Sequence, residues 1–374
     1  MNLYYSSIWR LMDGRTPVKS NGYYVLTDQD EVVFRKEPPA NVQLVTVDGF
    51  ARALTEGCRH LVKDFAESSD NEQVYAFCLY TNEYKEILIY MNTLARFEKT
   101  LESYKTNSNK GYDEEETQIL KYHCGDFDFQ LWNEHMGESG RIVEYFEKIS
   151  RQDPELKEAD AEDEHFDGEP IAVFEEGIIV DGYYVSVIRA IQQLTEEGAF
   201  DALDKAENFI AYASTDNAYL DYGLVMRKTI DQRLFYQLFP DMKESDARFK
   251  EAIEGTKQLS LAEAAEYWLN ATYRDYDLQP PYSFKSVMDV FTQLQTYGSE
   301  LVKVSLDCLQ GLARVTNLED KEHNRLAYYL EALYFCGPLT SYETERCREV
   351  ARNMELSPNE LIREYGKELE TFAR

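Results

Sequence analysis

One stretch of the sequence brings together side chains that could do nucleophilic chemistry. It reads His123-Cys124-Gly125-Asp126, and a cysteine nucleophile needs a histidine base together with a third group that orients the histidine. On a strand, neighbouring side chains point to opposite faces, so His123 would not activate Cys124 directly. The other histidines stand elsewhere in the sequence, at His60, His135, His165 and His323. We therefore predict that the chain is not an enzyme, with an unrecognised catalytic site as the open alternative.

Motifs for phosphate or metal binding are missing from the sequence. A phosphate-binding loop needs spaced glycines followed by Lys and Ser/Thr, and a zinc protease needs H-E-x-x-H; the sequence contains neither. Asp163 and Gly168 occupy the first and sixth positions of a calcium loop, but Phe174 stands at the twelfth position, where a bidentate glutamate is required. We expect no cofactor and no metal.

The charge of the chain is strongly negative. It has 69 Asp and Glu against 39 Lys and Arg, a formal net charge of −30. Such a chain offers little to hold a phosphate backbone, so we expect no direct binding of nucleic acid. A hydrophobic share of 44% is enough for a packed core and excludes wholesale disorder. The charge by itself does not identify a partner, but it is compatible with a partner of basic character.

Two acidic clusters are the candidate partner-binding residues. The alternative is that they are ordinary solvated loops, as most short acidic runs are. The first cluster is Asp113, Glu114, Glu115 and Glu116, and the second is the pair Asp126 and Asp128.

Compartment signals point to the cytoplasm. The start of the chain lacks a basic segment followed by an apolar one, so we expect no signal peptide. The most apolar runs, such as residues 87–91, are far shorter than the roughly 20 residues of a membrane helix. The cysteines form no C-x-x-C pair, which favours buried, reduced thiols and no disulfide framework. They are Cys58, Cys78, Cys124, Cys308, Cys336 and Cys347.

Residues 1–150 are predicted to form an α+β domain with a small antiparallel sheet. Alternation around residues 22–34 indicates a hairpin. Apolar residues at helical spacing follow from Val47, then two strands at residues 74–81 and 86–91, and then a helix from Leu94.

Residues 151–170 are predicted to be an acidic linker. Nine acids and one base lie between Asp153 and Glu169, and their mutual repulsion favours an extended, solvated connector. Residues 171–374 are predicted to form a β element followed by a helical domain. Capping-box spacings begin at Ser260, Thr340 and Ser357, the last with Pro358 at the first helical position. Apolar stripes at residues 287–294 and 326–333 indicate amphipathic helices packed in a core, with an interaction face as the alternative.

A weak internal duplication is a further possibility. The order helix, strand, turn, strand, helix of residues 47–105 recurs after residue 183, with predicted strands at residues 209–214 and 219–226. Gly-Tyr-Tyr-Val occurs at residues 22–25 and 182–185. A chance similarity of short β-rich segments is the alternative.

The segment Tyr75-Ala76-Phe77-Cys78-Leu79-Tyr80-Thr81-Asn82, followed by Met91-Asn92-Thr93 and a helix, resembles a bacterial family of unknown-function domains. In that family a helix precedes Y-A-F-x-L-Y-T-D/N, and a second strand ends in N-T. The resemblance covers residues 47–148. A later stretch containing Trp in the family corresponds here to residues 122–129, with Phe in place of Trp.

The resemblance implies a function in toxin immunity. Members of the family occur at polymorphic-toxin loci and are candidate immunity proteins. We therefore expect a cytosolic binding protein that neutralises a toxin, its partner being a basic toxin domain. The alternatives are a scaffold protein of a bacterial defence system, acting through the helical second half, and an enzyme. The sequence leaves the oligomeric state open.

Overall fold

The structure is a computed structural model that describes residues 18–108, 111–158, 168–215, 225–273 and 287–373. The fold is mixed α+β, as the sequence predicts. The chain divides into two compact units, one within residues 10–239 and the other within residues 240–374. Described strands lie in the first unit, and the described part of the second unit is helical. No helix in the described ranges has the length and apolar character needed to cross a membrane.

The described strands form two four-stranded sheets, with the orders β2-β1-β7-β3 and β6-β5-β4-β8. In chain order the strands are β1 (Tyr23–Thr27), β2 (Val32–Arg35), β3 (Leu44–Val45), β4 (Val74–Thr81), β5 (Ile87–Thr93), β6 (Phe129–Leu131), β7 (Pro170–Glu175) and β8 (Lys205–Thr215). The predicted hairpins β1–β2 and β4–β5 are confirmed. However, β3–β7 and β4–β8 are parallel pairs. The sequence analysis did not predict them, because the pattern within one strand does not reveal the direction of a distant partner.

The helices of the first unit cover these sheets. They are α1 (Val47–Ala66), α2 (Leu94–Ser108), α3 (Glu114–Lys121), α4 (Gly140–Glu158), α5 (Tyr183–Glu196) and α6 (Gln232–Leu238). The predicted helix after Val47 is confirmed as α1. The Thr46 hydroxyl caps it by accepting a hydrogen bond from the Gly49 amide at 3.0 Å. Helix α1 packs against α5, and α5 packs on β4 and β8.

The predicted division of the chain at residues 151–170 differs from the division in the structure. Strand β7 follows the predicted linker and pairs with β1, and β8 lies beside β4. The segment after the acidic run therefore completes sheets that the segment before it begins. In addition, residues 151–158 continue helix α4 instead of forming an extended connector. Residues 159–167 of the predicted linker lie outside the described residues.

Asp153, counted among the linker acids, is in fact buried, with 2% of its surface exposed. Its carboxylate accepts a hydrogen bond from the Tyr24 hydroxyl of β1 and lies 2.9 Å from the Lys85 ammonium in the β4–β5 turn. Burial and this contact raise the pKa of the Tyr24 hydroxyl. Lys85 adopts a left-handed backbone (φ 62°), which is uncommon for a residue with a β-carbon. Asp153 therefore joins helix α4 to both sheets.

The shared Gly-Tyr-Tyr-Val tetrapeptide adopts two different structures. At residues 22–25 it enters strand β1, whereas at residues 182–185 its glycine ends a π-helical turn and its tyrosines begin α5. It therefore gives no support to an internal duplication. The segments α1–β4 and α5–β8 do share the order helix then strand, and β4 and β8 lie side by side. The predicted returning strand at residues 219–226 falls largely outside the described residues, and residues 226–228 form a 3₁₀ turn.

The described part of the second unit is helical, and its helices include the two that the apolar stripes predict. The helices of this unit are α7 (Pro240–Thr256), α8 (Leu261–Tyr273), α9 (Val287–Leu294), α10 (Gly298–Leu312), α11 (Asp320–Leu333), α12 (Ser341–Glu355) and α13 (Glu360–Phe372). Phe291 and Leu294 of α9 and Leu326 and Leu330 of α11 are buried. These stripes are therefore core.

Two of the three predicted capping boxes are confirmed, at Ser260 and at Thr340. The third is wrong. Helix α13 is capped by Asn359, whose side-chain oxygen accepts a hydrogen bond from the Ile362 amide at 3.3 Å. Pro358 therefore precedes the cap instead of standing at the first helical position.

We predict that Asp153→Ala destabilises the first unit by about 3 kcal/mol, since it leaves a buried ammonium and hydroxyl without their carboxylate. Urea unfolding followed by tryptophan fluorescence and circular dichroism measures the change. The matched control on the same helix is Glu144→Ala, which removes a half-exposed carboxylate paired with Lys148 at 3.0 Å and is expected to cost less than about 1 kcal/mol. Equal effects of the two substitutions would contradict a bridging role for Asp153.

Candidate functional site

The first predicted acidic cluster begins a helix. The Asp113 carboxylate accepts a hydrogen bond from the Glu116 amide at 2.8 Å, and the Glu116 carboxylate accepts one from the Asp113 amide at 3.4 Å. This capping box starts α3, where the helix dipole also favours negative charge. Glu114 is exposed in the first turn. Glu115 lies in the helix, and its side chain is outside the described residues. Asp113 and Glu116 thus have a local structural role at the start of α3.

The second pair, Asp126 and Asp128, lies between α3 and β6. Asp126 accepts a hydrogen bond from the Tyr104 hydroxyl of α2 at 2.5 Å and lies 2.7 Å from Nδ1 of His123. Asp128 lies 3.0 Å from the Arg96 guanidinium, which also pairs with Asp70 at 3.1 Å. Both acids are therefore part of a charged surface network on the first unit.

The sequence analysis assumed that His123 and Cys124 lie on a strand, and the structure shows that they do not. Helix α3 ends at Lys121, and residues 124–126 form a 3₁₀ turn. The His123 side chain is 67% exposed and pairs with Asp126. The histidine therefore faces this carboxylate, and the structure gives no support to a Cys124–His123 nucleophile.

Strand β6 presents a row of exposed side chains at the edge of its sheet. Asp128, Gln130 and Trp132 are exposed, whereas Phe129 and Leu131 between them are partly buried. This alternation is that of a strand with one solvated face. The Trp132 side chain is 44% exposed. We call Asp126, Asp128, Gln130 and Trp132 the β6 surface.

Sequence analysis found the two acids of the β6 surface but missed Trp132. The sequence signal that could have identified Trp132 is the alternation of exposed and partly buried residues through residues 128–132. This signal is short because β6 has only three residues. A strand this short is recognised from its pairing with β5, where Tyr90 faces Gln130. That pairing exists only in the folded chain.

The motif residues that carry the family resemblance lie in the core. The Asn92 side-chain amide donates a hydrogen bond to the Tyr75 hydroxyl at 3.0 Å, and both residues are 1% exposed. The Tyr75 ring packs edge-on against Tyr122 and Phe127, with centroids 5.7 Å away in each case. These residues therefore hold β4, β5 and the segment after α3 together.

The last motif residue, Asn82, shapes the β4–β5 turn. Its side chain donates to the Glu86 carboxylate at 2.6 Å and accepts from the Glu86 amide at 3.0 Å. Side-chain hydrogen bonds of this kind favour asparagine in turns. The motif thus encodes a hairpin and its packing.

A cluster of thiols and hydroxyls lies on the face of the second sheet. Cys78 of β4 stands in register with Tyr90 of β5 and Tyr212 of β8. The Tyr212 hydroxyl donates a hydrogen bond to the Tyr122 carbonyl at 2.9 Å, which ties the segment leading to Cys124 to β8.

The two thiols of this cluster differ in acidity. Hydrogen bonds from Cys78, from Ser214 and from backbone amides lower the pKa of the Cys124 thiol, although burial opposes them. Burial and the neighbouring Cys124 raise the pKa of the Cys78 thiol well above its usual value. Cys78 is fully buried and Cys124 only partly. Among the described residues, no group of three or more His, Cys, Asp or Glu side chains is placed to hold a metal ion.

We predict that Tyr75→Phe destabilises the first unit by about 1–3 kcal/mol, because the buried Asn92 amide loses its acceptor. Thermal and urea unfolding measure the change. Tyr84→Phe is the control, since Tyr84 is 72% exposed on the β4–β5 turn and should leave stability unchanged. A neutral Tyr75→Phe would show that Asn92 finds another partner.

Comparison with known proteins agrees with the structural division of the chain. Residues 54–229 match the model of a family described as a domain of unknown function, DUF4303. The matched span runs from within α1 to beyond β8, inside the first unit. No curated protein and no solved structure matches the chain. The region that carries the strand motif at Tyr75–Asn82 is therefore similar to a domain family of unknown function.

Proposed function

We propose that this chain is a non-enzymatic binding protein that neutralises a basic protein toxin, as an immunity protein does. The observation that carries the proposal is the β6 surface, where two acids precede an edge strand and an exposed tryptophan directly follows it. Exposed aromatic side chains next to charged ones are typical of protein-binding surfaces.

The charge of the surface favours a basic partner. Asp70, Asp126 and Asp128 contribute three carboxylates, and the Arg96 guanidinium pairs with two of them. The chain as a whole carries a formal net charge of −30. Complementary potential of this kind speeds encounter with a cationic partner and rejects anionic ones. A toxin that acts on nucleic acid has a cationic groove of the required sign.

Affinity would come from Trp132 and from the strand edge. A tryptophan that is 44% exposed in the free protein can insert into a pocket of the partner, and tryptophan is enriched among interface hot spots. β6 lies at the edge of its sheet among the described strands, and an edge can accept an additional strand from a partner.

We predict that Trp132→Ala weakens the complex with the toxin encoded by the adjacent upstream gene by about 30-fold or more, as for a hot spot of about 2 kcal/mol. Isothermal titration calorimetry with a catalytically inactive toxin measures the affinity, and growth on co-expression measures protection. The matched control is Tyr84→Ala, an aromatic side chain that is exposed elsewhere on the same unit. Absence of both complex and protection in the wild type would overturn the proposal.

A second measurement tests the electrostatic part. Asp128→Asn is expected to slow association several-fold at low salt and to reduce the dependence of the association rate on ionic strength, because it removes one rim charge. Stopped-flow association across a series of salt concentrations provides the readout. An unchanged salt dependence would place the interface elsewhere on the chain.

The alternative is a scaffold protein that binds through the second unit. The observation in its favour is that Tyr342 of α12 is 79% exposed and Leu356, which follows α12, is 83% exposed. For a scaffold, Tyr342→Ala would weaken a complex that Trp132→Ala leaves intact. The two single substitutions therefore separate the alternatives.

A further inference from the structure

The segment that leads into strand β1 contains the only Asn-Gly pair of the sequence, Asn21-Gly22. Asn21 is exposed, and both residues lie in a bend directly before Tyr23, the first residue of β1. Asparagine is a thermally labile residue, because the backbone nitrogen of the next residue can attack its side-chain amide. A following glycine has no β-carbon to hinder this attack. The pair is therefore a candidate for a spontaneous chemical change.

Close packing explains why glycine stands at position 22. A β-carbon added at Gly22 would collide with the Phe34 ring and lie 2.7 Å from the Arg35 carbonyl oxygen of β2, closer than atoms that are not bonded to each other pack. Any larger residue would therefore displace this part of β2. The fold requires glycine here, and the same requirement leaves the side chain of Asn21 open to attack.

The hydrogen bonds that hold this segment do not use the two reacting groups. The Gly177 amide donates to the Ser20 hydroxyl at 2.8 Å. The Glu176 carboxylate accepts from the Asn21 N–H at 2.8 Å, and the Glu176 N–H donates to the Gly22 carbonyl at 3.0 Å. Within the described part of the chain, neither the Asn21 side chain nor the Gly22 N–H makes a hydrogen bond. Both groups are therefore free to react while the segment stays in place.

We propose that Asn21 is a site of spontaneous deamidation, in which the Gly22 nitrogen closes a succinimide ring and water opens this ring to aspartate or isoaspartate. The proposal is independent of the proposed binding function, since it uses none of the residues of the β6 surface. It assigns to the entry of β1 a modification whose only co-reactant is water.

The reaction balances without an oxidant or a reductant. Base removes the proton of the Gly22 N–H, and the nitrogen attacks Cγ of Asn21. The bond from Cγ to the side-chain nitrogen then breaks, and this nitrogen takes up a proton and leaves as ammonia. Water opens the ring at Cγ to give aspartate, or at the backbone carbonyl to give isoaspartate. Because the first step removes an amide proton, the rate rises with pH.

Either product places a new negative charge near Glu176. In the unmodified chain the Glu176 carboxylate lies 2.8 Å from the Asn21 amide nitrogen, and like charges at short range repel each other. The isoaspartate product also adds a methylene group to the backbone just before Tyr23, whose partner on β7 is Glu175. Deamidation therefore alters charge and chain length at the point where β1 and β7 begin their pairing.

The test is peptide mapping of the full-length protein during incubation at physiological temperature and mildly alkaline pH. Mass spectrometry follows the conversion of each asparagine, and isoaspartyl methyltransferase labels the isoaspartate product. Two exposed asparagines serve as internal references: Asn41 precedes the branched Val42, and Asn107 precedes Ser108 within helix α2. We expect Asn21 to convert several-fold faster than either reference, and faster still as the pH rises. Conversion of Asn21 at or below the rate of the references would overturn the proposal.

Unfolding separates the effect of the fold from that of the Asn-Gly pair. Because the reacting groups are not hydrogen-bonded in the folded chain, we expect Asn21 to convert in the native protein within several-fold of its rate in urea. Conversion in urea with none in the native protein would contradict the proposal, since it would show that the fold keeps the reacting groups apart.

The matched variant is Asn21→Gln, which keeps a side-chain amide but would have to close a larger and less favourable ring. We expect the acidic form that appears during incubation of the wild type, measured by ion-exchange chromatography, to be lost in this variant. Persistence of the same acidic form would place the deamidation at another asparagine. The wild-type peptide map decides the site by itself, so the proposal stays falsifiable even if the variant fails to fold.

Discussion

The carboxylate of Asp153 connects the parts of the first unit. It accepts a hydrogen bond from the Tyr24 hydroxyl of one sheet and pairs with the Lys85 ammonium in a hairpin of the other sheet. A buried charge is costly unless its partners satisfy it, so the contact is stable only when helix α4 and both sheets are in place together. The left-handed backbone of Lys85 is consistent with this, since the tertiary contact favours a turn that local preference does not.

The motif residues and the surface residues have separate roles. Tyr75, Asn92 and Asn82 form buried or turn hydrogen bonds, so their pattern defines a hairpin and the way it is packed. A sequence match that rests on such residues indicates a similar fold. Trp132 and Asp128 are exposed at the two ends of an edge strand, where side chains are free to suit a particular partner. The binding proposal therefore rests on the surface, and the family similarity on the core.

Acidic residues show how environment decides the role of a side chain. Asp113 caps a helix, Asp128 pairs with an arginine at the surface, and Asp153 is buried between two sheets. In the sequence all three belong to similar acidic runs. Composition therefore predicts the net charge of the chain. How strongly the ionised form of each carboxylate is stabilised depends on which cations and hydrogen-bond donors the fold places beside it.

The amino-acid sequence determined by itself the α+β class, the hairpins β1–β2 and β4–β5, helix α1 and the apolar stripes of the second unit, since these depend on interactions between near neighbours. The tertiary structure alone decided that β7 and β8 join sheets begun before the acidic run, and that β6 lies at the edge of its sheet beside β5. It also decided that Gly-Tyr-Tyr-Val forms a strand at β1 and a helix at α5. Local preference for the two states differs by little, and burial against distant segments outweighs it.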